Sequence, residues 1–379
     1  MDLRYCTTCV LPHTRPNIAF DDKGNCNCAT AQKKQLIDWD ARTQQFKDLV
    51  REVKALGRDY DCIIPVSGGK DSTWQTVVAL EHGLKPLCVT WKTPARNALG
   101  TANLENLISL GVDHIDFAVN PKVERVFVRK TFEKLGSPVI PMHMALHAIP
   151  LKLAVNYQIP LILWGENSAY EYGGEDESLK GVRLTHAWLK KYGVTNGTTA
   201  QDWIDEDLSA ADLAVFQWAS DAEQERAGVR AVFLGHYYQW NPQVSYGVAK
   251  EHGFKADDAP KTGYYEYADI DDEFLITIHH WMKWYKFGFT RLWDNLSLEI
   301  RNDRMSREEA IEILRNQGDE THHEAIEKFC AYAGLSQARF REIAESFRNK
   351  DIWDKQDDGT WRLHGFLIDD WIWQTANAK

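Results

Sequence analysis

Apolar runs alternate with segments of helical spacing through the first two-thirds of the chain. Residues 62–66, 86–91, 114–119, 159–164 and 230–235 are short, almost continuously apolar runs that predict strands buried on both faces. Between them, Leu36, Trp39, Phe46, Leu49, Val50, Val53 and Leu56 recur at helical spacing over 33–57. Further helices are predicted over 71–80, 103–110, 122–135 and within 138–154. Strands alternating with helices predict an α/β fold, a doubly wound parallel sheet, whose ligands sit beyond the carboxyl ends of the strands. Residues 183–228 are expected as a helical insertion before the fifth strand. Residues 274–288 and 306–348 read as helices, the latter opened by a Ser306–Glu309 capping box. A tail over 351–379, rich in Trp and Asp, is expected to dock on the body. The expected division is 1–32, 33–300 and 301–379, the last a C-terminal helical region.

The strongest chemical signal lies at the end of the first strand, where Val66 leads into Ser67-Gly68-Gly69-Lys70-Asp71-Ser72. A strand, a glycine turn and a helix N-terminus expose backbone N–H groups, and the helix dipole adds positive charge. Glycine lets the backbone approach an anion closely. Ser67 and Ser72 add hydroxyls and Lys70 adds a point charge, so the turn suits a polyphosphate. It is not a Walker loop, which needs a glycine where this chain has Ile64. The turn resembles the PP-loop of ATP pyrophosphatases. That resemblance implies ATP held by Ser67, Gly68, Gly69, Asp71 and Ser72, with Mg²⁺ near Asp71 and adenine on the backbone of Val89, Thr90 and Trp91. Gly165, Glu166 and Asn167 follow the fourth strand and are expected to face the same site. Asn167 would orient an acceptor; Glu166 would take a proton, bind Mg²⁺ or anchor its loop.

Cys6-Thr-Thr-Cys9 and Cys26-Asn-Cys28 form two close pairs that resemble a structural zinc ribbon, with His13 as an alternative ligand. The second pair has one intervening residue, tighter than usual. Cys62, Cys88 and Cys330 are scattered in apolar surroundings, unlike a disulfide framework. His143 and His147 share a helix face and read as a core or pocket pair. The net charge of −11 and the lack of a long basic run disfavour nucleic acid. No apolar run approaches a membrane span, and the start shows no signal-peptide core, so a cytoplasmic enzyme is expected.

Several stretches together resemble the N-acetyl sugar amidotransferases of bacterial surface-polysaccharide and flagellin-glycan biosynthesis. They are 5–12 with 20–26, the loop at 66–72, Leu163-Trp-Gly-Glu-Asn-Ser168 with Gly173-Gly174, Lys286-Phe-Gly-Phe-Thr-Arg291, and 297–310. The family's second cysteine pair is more widely spaced than the one here. The resemblance implies conversion of an acetamido group on a nucleotide sugar to an acetamidino group, through an O-adenylyl imidate and ammonia. Lys70, Asp71, Glu166 and Asn167 are the catalytic candidates. Lys286, Arg291, Arg301 and Arg304 are expected to grip a diphosphate or sugar carboxylate. No glutaminase site is readable: Asp2 follows Met1 where an N-terminal nucleophile would need Cys, and Cys62 and Cys88 lie inside strands. A separate glutaminase partner, related to the glutaminase/cyclase pair of histidine biosynthesis, is implied. The alternatives are a PP-loop tRNA thiolase, which needs reactive cysteines and a basic face, and a non-catalytic nucleotide-binding subunit.

Overall fold

Strands this apolar need cover on both faces, and the fold supplies it except at the strand near 114–119, which lies at the sheet edge and is only partly buried. The computed structural model describes residues 2–28, 36–173, 176–317 and 321–373. The parts of the predicted first helix, of the acidic loop after the fourth strand and of the tail that fall on 33–35, 174–175 and 374–379 lie outside the described residues. Five strands, β1 (Cys62–Pro65), β2 (Pro86–Trp91), β3 (Asp113–Phe117), β4 (Leu161–Trp164) and β5 (Arg230–Phe233), form one sheet in the order β3-β2-β1-β4-β5. Every pairing is parallel, with Ile64 opposite Cys88 and Leu163 opposite Val232. Side chains alternate between faces as the pleat requires. Ile63, Leu87, Val89 and Ile162 enter one core, while Cys62, Ile64, Cys88 and Leu163 enter the other.

Helices α1 (Trp39–Ala55), α2 (Lys70–Glu81) and α3 (Ala98–Ile108) cover the second of these faces; α4 (Pro121–Leu135) and α5 (Ile140–Tyr157) cover the first. Between β4 and β5 lie three short helices, α6 (Ser168–Glu171), α7 (His186–Tyr192) and α8 (Asp221–Arg226), with intervening 3₁₀ turns. The strand order turns back between β1 and β4, which makes the crevice beyond their carboxyl ends the expected ligand site.

Two helices not anticipated from the sequence follow β5: α9 (Pro242–Glu251), opened by an Asn241 cap, and α11 (Arg291–Arg301). They flank α10 (Leu275–Phe287) in the chain. Helices α12 (Arg307–Gln317), α13 (His323–Ala333) and α14 (Gln337–Ser346) come next. The C-terminal region is not wholly helical: β6 (Trp353–Lys355) and β7 (Trp361–Leu363) form an antiparallel hairpin whose turn contains Gly359 at φ +81°. Its Asp358-Gly359 pair is the usual chemistry of such a turn. The N-terminal knuckle and this hairpin share one core, in which Leu3, Cys6 and Cys26 lie with Trp284, Trp293, Trp353 and Trp371. The Leu3 N–H donates to the His364 carbonyl at 2.8 Å, which joins the two ends directly.

A buried ionic centre fastens the knuckle to the helices behind the site. Asp294 on α11 accepts from Arg15 Nε and Lys283 Nζ, both at 2.8 Å. Arg15 also donates to the Tyr172 carbonyl at 2.9 Å. Burial alone would raise the Asp294 carboxyl, but Lys283, Arg15 and Arg291 outweigh it and hold it well below the carboxylate range. A depressed acid stabilises the fold above its unfolded value, and the contribution fades as pH falls through the folded one. Asp294→Asn should therefore cost about 3–5 kcal/mol at neutral pH, the penalty of stranding two buried cations. The wild type, but not the variant, should lose that increment as pH drops below about 4. Urea unfolding at a series of pH values checks this; equal acid sensitivity in the two proteins would contradict it.

Candidate active site

The turn after β1 has the shape its glycines require. Gly68 adopts φ +88°, and a Cβ there would lie 2.6 Å from the Leu104 backbone nitrogen. No side chain caps the N-terminus of α2, so its first N–H groups remain available to an anion. Ser67 Oγ accepts from the Gly69 N–H at 3.2 Å, and Ser72 Oγ donates to the Gly69 carbonyl at 3.0 Å. Lys70 Nζ lies 2.5 Å from Asp71 Oδ2 and faces the rings of Tyr267 and Trp240 at 5.4 and 5.8 Å. Trp240 Nε1 donates to Asp71 Oδ1 at 3.1 Å.

These groups form one wall of a cavity of about 230 Å³. Ser67, Gly69, Lys70, Asp71 and Ser72 face Tyr265, Tyr267, Asp269, Asp271, Arg291 and Asn295, with Glu166, Tyr172 and Trp240 between them. The opposing residues come from the loop between α9 and α10 and from one face of α11. Gly263 permits this close packing, since a Cβ there would meet Asn295 Oδ1 at 2.1 Å. Asp269 sits at φ +58°, a left-handed conformation that Asp tolerates better than most residues. Its carboxylate lies 3.5 Å from His280 Nδ1 and 3.9 Å from Arg291 Nε.

A second cavity, of about 760 Å³, adjoins the first and shares Glu166, Tyr172, Asp269 and Arg291 with it. Its other walls carry Arg15, Lys190, Lys191, Lys283 and Lys286, together with His143, His279 and His280. Burial drives the His143 imidazole down to about 4 and the His279 and His280 imidazoles well below their usual value, so all three are neutral at pH 7. Burial also lowers Lys286 to about 8. At the junction, Glu166 is raised to about 7, first by burial and then by the Asp71 charge.

The remaining sequence-predicted residues are placed differently. Asn167 is buried with its amide fully engaged. Its Nδ2 donates to the carbonyls of Leu179 and Gly181, and its Oδ1 accepts from the Ala169 N–H and from Trp188 Nε1. These four contacts tie it to the loop after β4. Arg301 donates to the carbonyls of Ser297, Cys28 and Glu171. Arg304 forms a bidentate pair with Glu299 at 2.7 Å. Neither lines the two cavities, and both are engaged within the fold. Lys286 and Arg291 do line the larger cavity, although Lys286 Nζ already donates to the Leu135 carbonyl. Gly165 leaves room for Gln75, whose Nε2 would lie 2.2 Å from an added Cβ. Val89, Thr90 and Trp91 lie outside both cavity walls; Thr90 Oγ1 donates to the Val66 carbonyl, and Trp91 Nε1 to Glu124.

The cysteines converge. The Sγ atoms of Cys6, Cys9 and Cys26 lie within 4.8 Å of one another. Backbone N–H groups of Thr8, Cys9 and Cys26 point at Cys6 Sγ at 3.2–3.4 Å, an arrangement that favours the thiolate. Cys28 lies outside that triad and donates to the Tyr172 carbonyl at 2.8 Å. The Cys26 thiol as hydrogen-bond donor, with Arg15 and Arg301 nearby, outweighs burial and brings the Cys28 thiol down to about 6. His13 is turned to the Arg4 N–H instead.

Sequence reasoning did not find Tyr172, Trp240, Tyr265, Tyr267, Asp269 or Asn295. The cluster of tyrosines at 264, 265 and 267 and the acidic run at 269, 271 and 272 were the available signals.

No curated protein matches the chain. Among solved structures, an NMN synthetase from Francisella tularensis is similar at a TM-score of 0.27 and 13% identity, over 59% of this chain and 99% of that one. A predicted subunit of tRNA methyltransferase from Methanocaldococcus jannaschii is similar at a TM-score of 0.29 and 14% identity, over 63% of this chain and 91% of that one. No helix among the described residues is long and apolar enough to cross a membrane. The stretch that builds the wall opposite the glycine loop, from Tyr265 to Leu298, falls inside residues 261–367, and over those residues the chain matches the family described as LPS biosynthesis protein WbpG-like, C-terminal domain.

Proposed function

We propose that the chain is an ATP-dependent amidotransferase that converts the acetamido group of a nucleotide-activated sugar to an acetamidino group. One observation carries the reading: a polyphosphate-shaped loop and a larger cationic chamber open onto each other at Glu166, Tyr172, Asp269 and Arg291. At about 230 Å³, the first cavity is smaller than typical ligand sites of about 300–1,000 Å³ and suits phosphates rather than a whole nucleotide. The second is large enough for a sugar and its diphosphate. Lys190 and Lys191 line it, and Arg291 spans both cavities.

The uncapped start of α2, Ser67, Ser72 and Lys70 would hold the β- and γ-phosphates of ATP. Asp71 offers carboxylate oxygens of the kind Mg²⁺ prefers, and the ion would neutralise charge developing on the pyrophosphate. The acceptor amide oxygen forms a bond to the α-phosphorus as the bond to the β-phosphate bridge breaks and pyrophosphate leaves. Ammonia then adds to the imidate carbon, and AMP departs with the former amide oxygen. Glu166 faces both cavities, and a carboxyl near 7 is matched to taking the proton that the added nitrogen must lose.

Ammonia would come from a separate glutaminase. Cys62 is raised well above its usual value by burial, Cys88 is pushed up to about 12 and Cys330 is also raised, so none of these three thiols is activated as a nucleophile. The same observation weighs against a thiolase. At the knuckle, Cys6, Cys9 and Cys26 with neighbouring Cys28 form a donor set suited to a structural zinc ion.

Four outcomes are expected. Mass spectrometry of a panel of N-acetylated nucleotide sugars with ATP, Mg²⁺ and ammonium should reveal a product in which NH has replaced oxygen, with AMP and pyrophosphate. Glutamine should not substitute for ammonium in the single chain; rapid glutamine-dependent turnover would reject the partner. At fixed free ammonia, wild-type kcat should rise through about pH 7, and Glu166→Gln should lose that limb with a fall of at least about 100-fold. A Gln variant with a normal profile would leave Glu166 as a loop anchor. Finally, elemental analysis of protein purified without chelator should find one zinc per chain, and Cys6→Ser or Cys26→Ser should release it; metal-free, fully folded wild type would refute the zinc.

A further inference from the structure

The acceptor amide needs an orienting group, and Asn167 is fully occupied by its loop. Buried polar atoms are rarely left without partners, so unpartnered ones on a cavity wall mark where a ligand completes the hydrogen bonding. Three residues that line the smaller cavity with the glycine loop carry such an atom: Asn295 Nδ2, Arg291 Nε and the Tyr267 hydroxyl. Asn295 is 1% exposed and Tyr267 5%. The Asn295 amide has a defined orientation, because its Oδ1 accepts the Tyr264 N–H at 3.0 Å, which leaves Nδ2 as the unengaged end. Arg291 lies one helical turn earlier on the same face of α11.

We propose that Asn295, supported by Arg291, is the positioning residue for the acceptor carbonyl oxygen that attacks the α-phosphorus. This rests on the amidotransferase reading above. An amide oxygen carries two lone pairs. One accepts from Asn295 Nδ2, and the other is thereby directed across the cavity toward phosphate held at Ser67–Ser72. A neutral carboxamide is the suitable donor. It fixes the oxygen without protonating it, whereas a lysine at this position would compete with phosphorus for the same electrons. Glu166 is left free for the later proton transfer.

The test uses Asn295→Asp, which retains an acceptor for the Tyr264 N–H but removes both donors. With the sugar found active in the panel, kcat/KM for that sugar should fall about 10- to 100-fold, the effect of losing one buried hydrogen bond. The KM for Mg-ATP should move by less than about twofold, and the thermal midpoint should stay near that of the wild type. Gly263→Ala reaches the same group indirectly, since the new methyl would displace Asn295 Oδ1; it should give the same acceptor-selective loss. A defect falling on Mg-ATP instead, or unchanged sugar constants in both variants, overturns the assignment while leaving the reaction intact. If no N-acetylated nucleotide sugar in the panel stimulates pyrophosphate release by wild type, the reaction itself is wrong and the assignment falls with it.

Discussion

Two cations buried against one carboxylate hold the helix that lines both cavities in place. Asp294 draws Lys283 from α10 and Arg15 from the knuckle onto α11. That helix presents Arg291 and Asn295 to the cavity while Trp293 and Leu296 pack into the core shared by both chain ends. A helix that is functional on one side and buried on the other cannot shift without cost to both. The pair of cations would be costly to bury alone; with Asp294 between them, their charge instead fixes the register of three separate segments. Arg301, at the far end of the same helix, extends the tie to the carbonyls of Cys28 and Glu171.

The α/β half was legible because its physics is local. Strands buried on both faces read as apolar runs, and Ser67-Gly68-Gly69 announces a turn that only glycine can make at φ +88°. The second half was less legible. In α11, Leu296, Leu298 and Ile300 alternate as they would in a strand, and that local pattern masks a strongly amphipathic helix, most of whose residues are buried. Asn241-Pro242 is a helix-start signal that the sequence did offer for α9. Arg301 and Arg304 illustrate a different limit. A cluster of cations in sequence says nothing about whether each finds a ligand, a carboxylate or a backbone carbonyl, and here two of the four are committed within the fold. The two asparagines show the same limit: Asn167 has its whole amide engaged while Asn295 keeps an unpartnered Nδ2, because the hydrogen-bond count of an amide is a tertiary property.

The electrostatics of the junction separate two tasks. Asp71 keeps Lys70 and the Trp240 N–H close, so its charge is compensated. Glu166 has burial and a like charge against it and sits near neutrality. Two carboxylates a short distance apart thus sit in quite different surroundings, one against a lysine and an indole N–H and the other buried.

Tyr172 shows how far the knuckle reaches. Its carbonyl receives both the Cys28 thiol and the Arg15 guanidinium, and Tyr172 lines both cavities. Gly173 follows it because a Cβ there would lie 2.6 Å from Cys28 Sγ. Sulfur chemistry at Cys28 is thus one hydrogen bond from the acceptor wall. Any side chain larger than hydrogen at position 173 would therefore collide with the sulfur that holds the Tyr172 carbonyl.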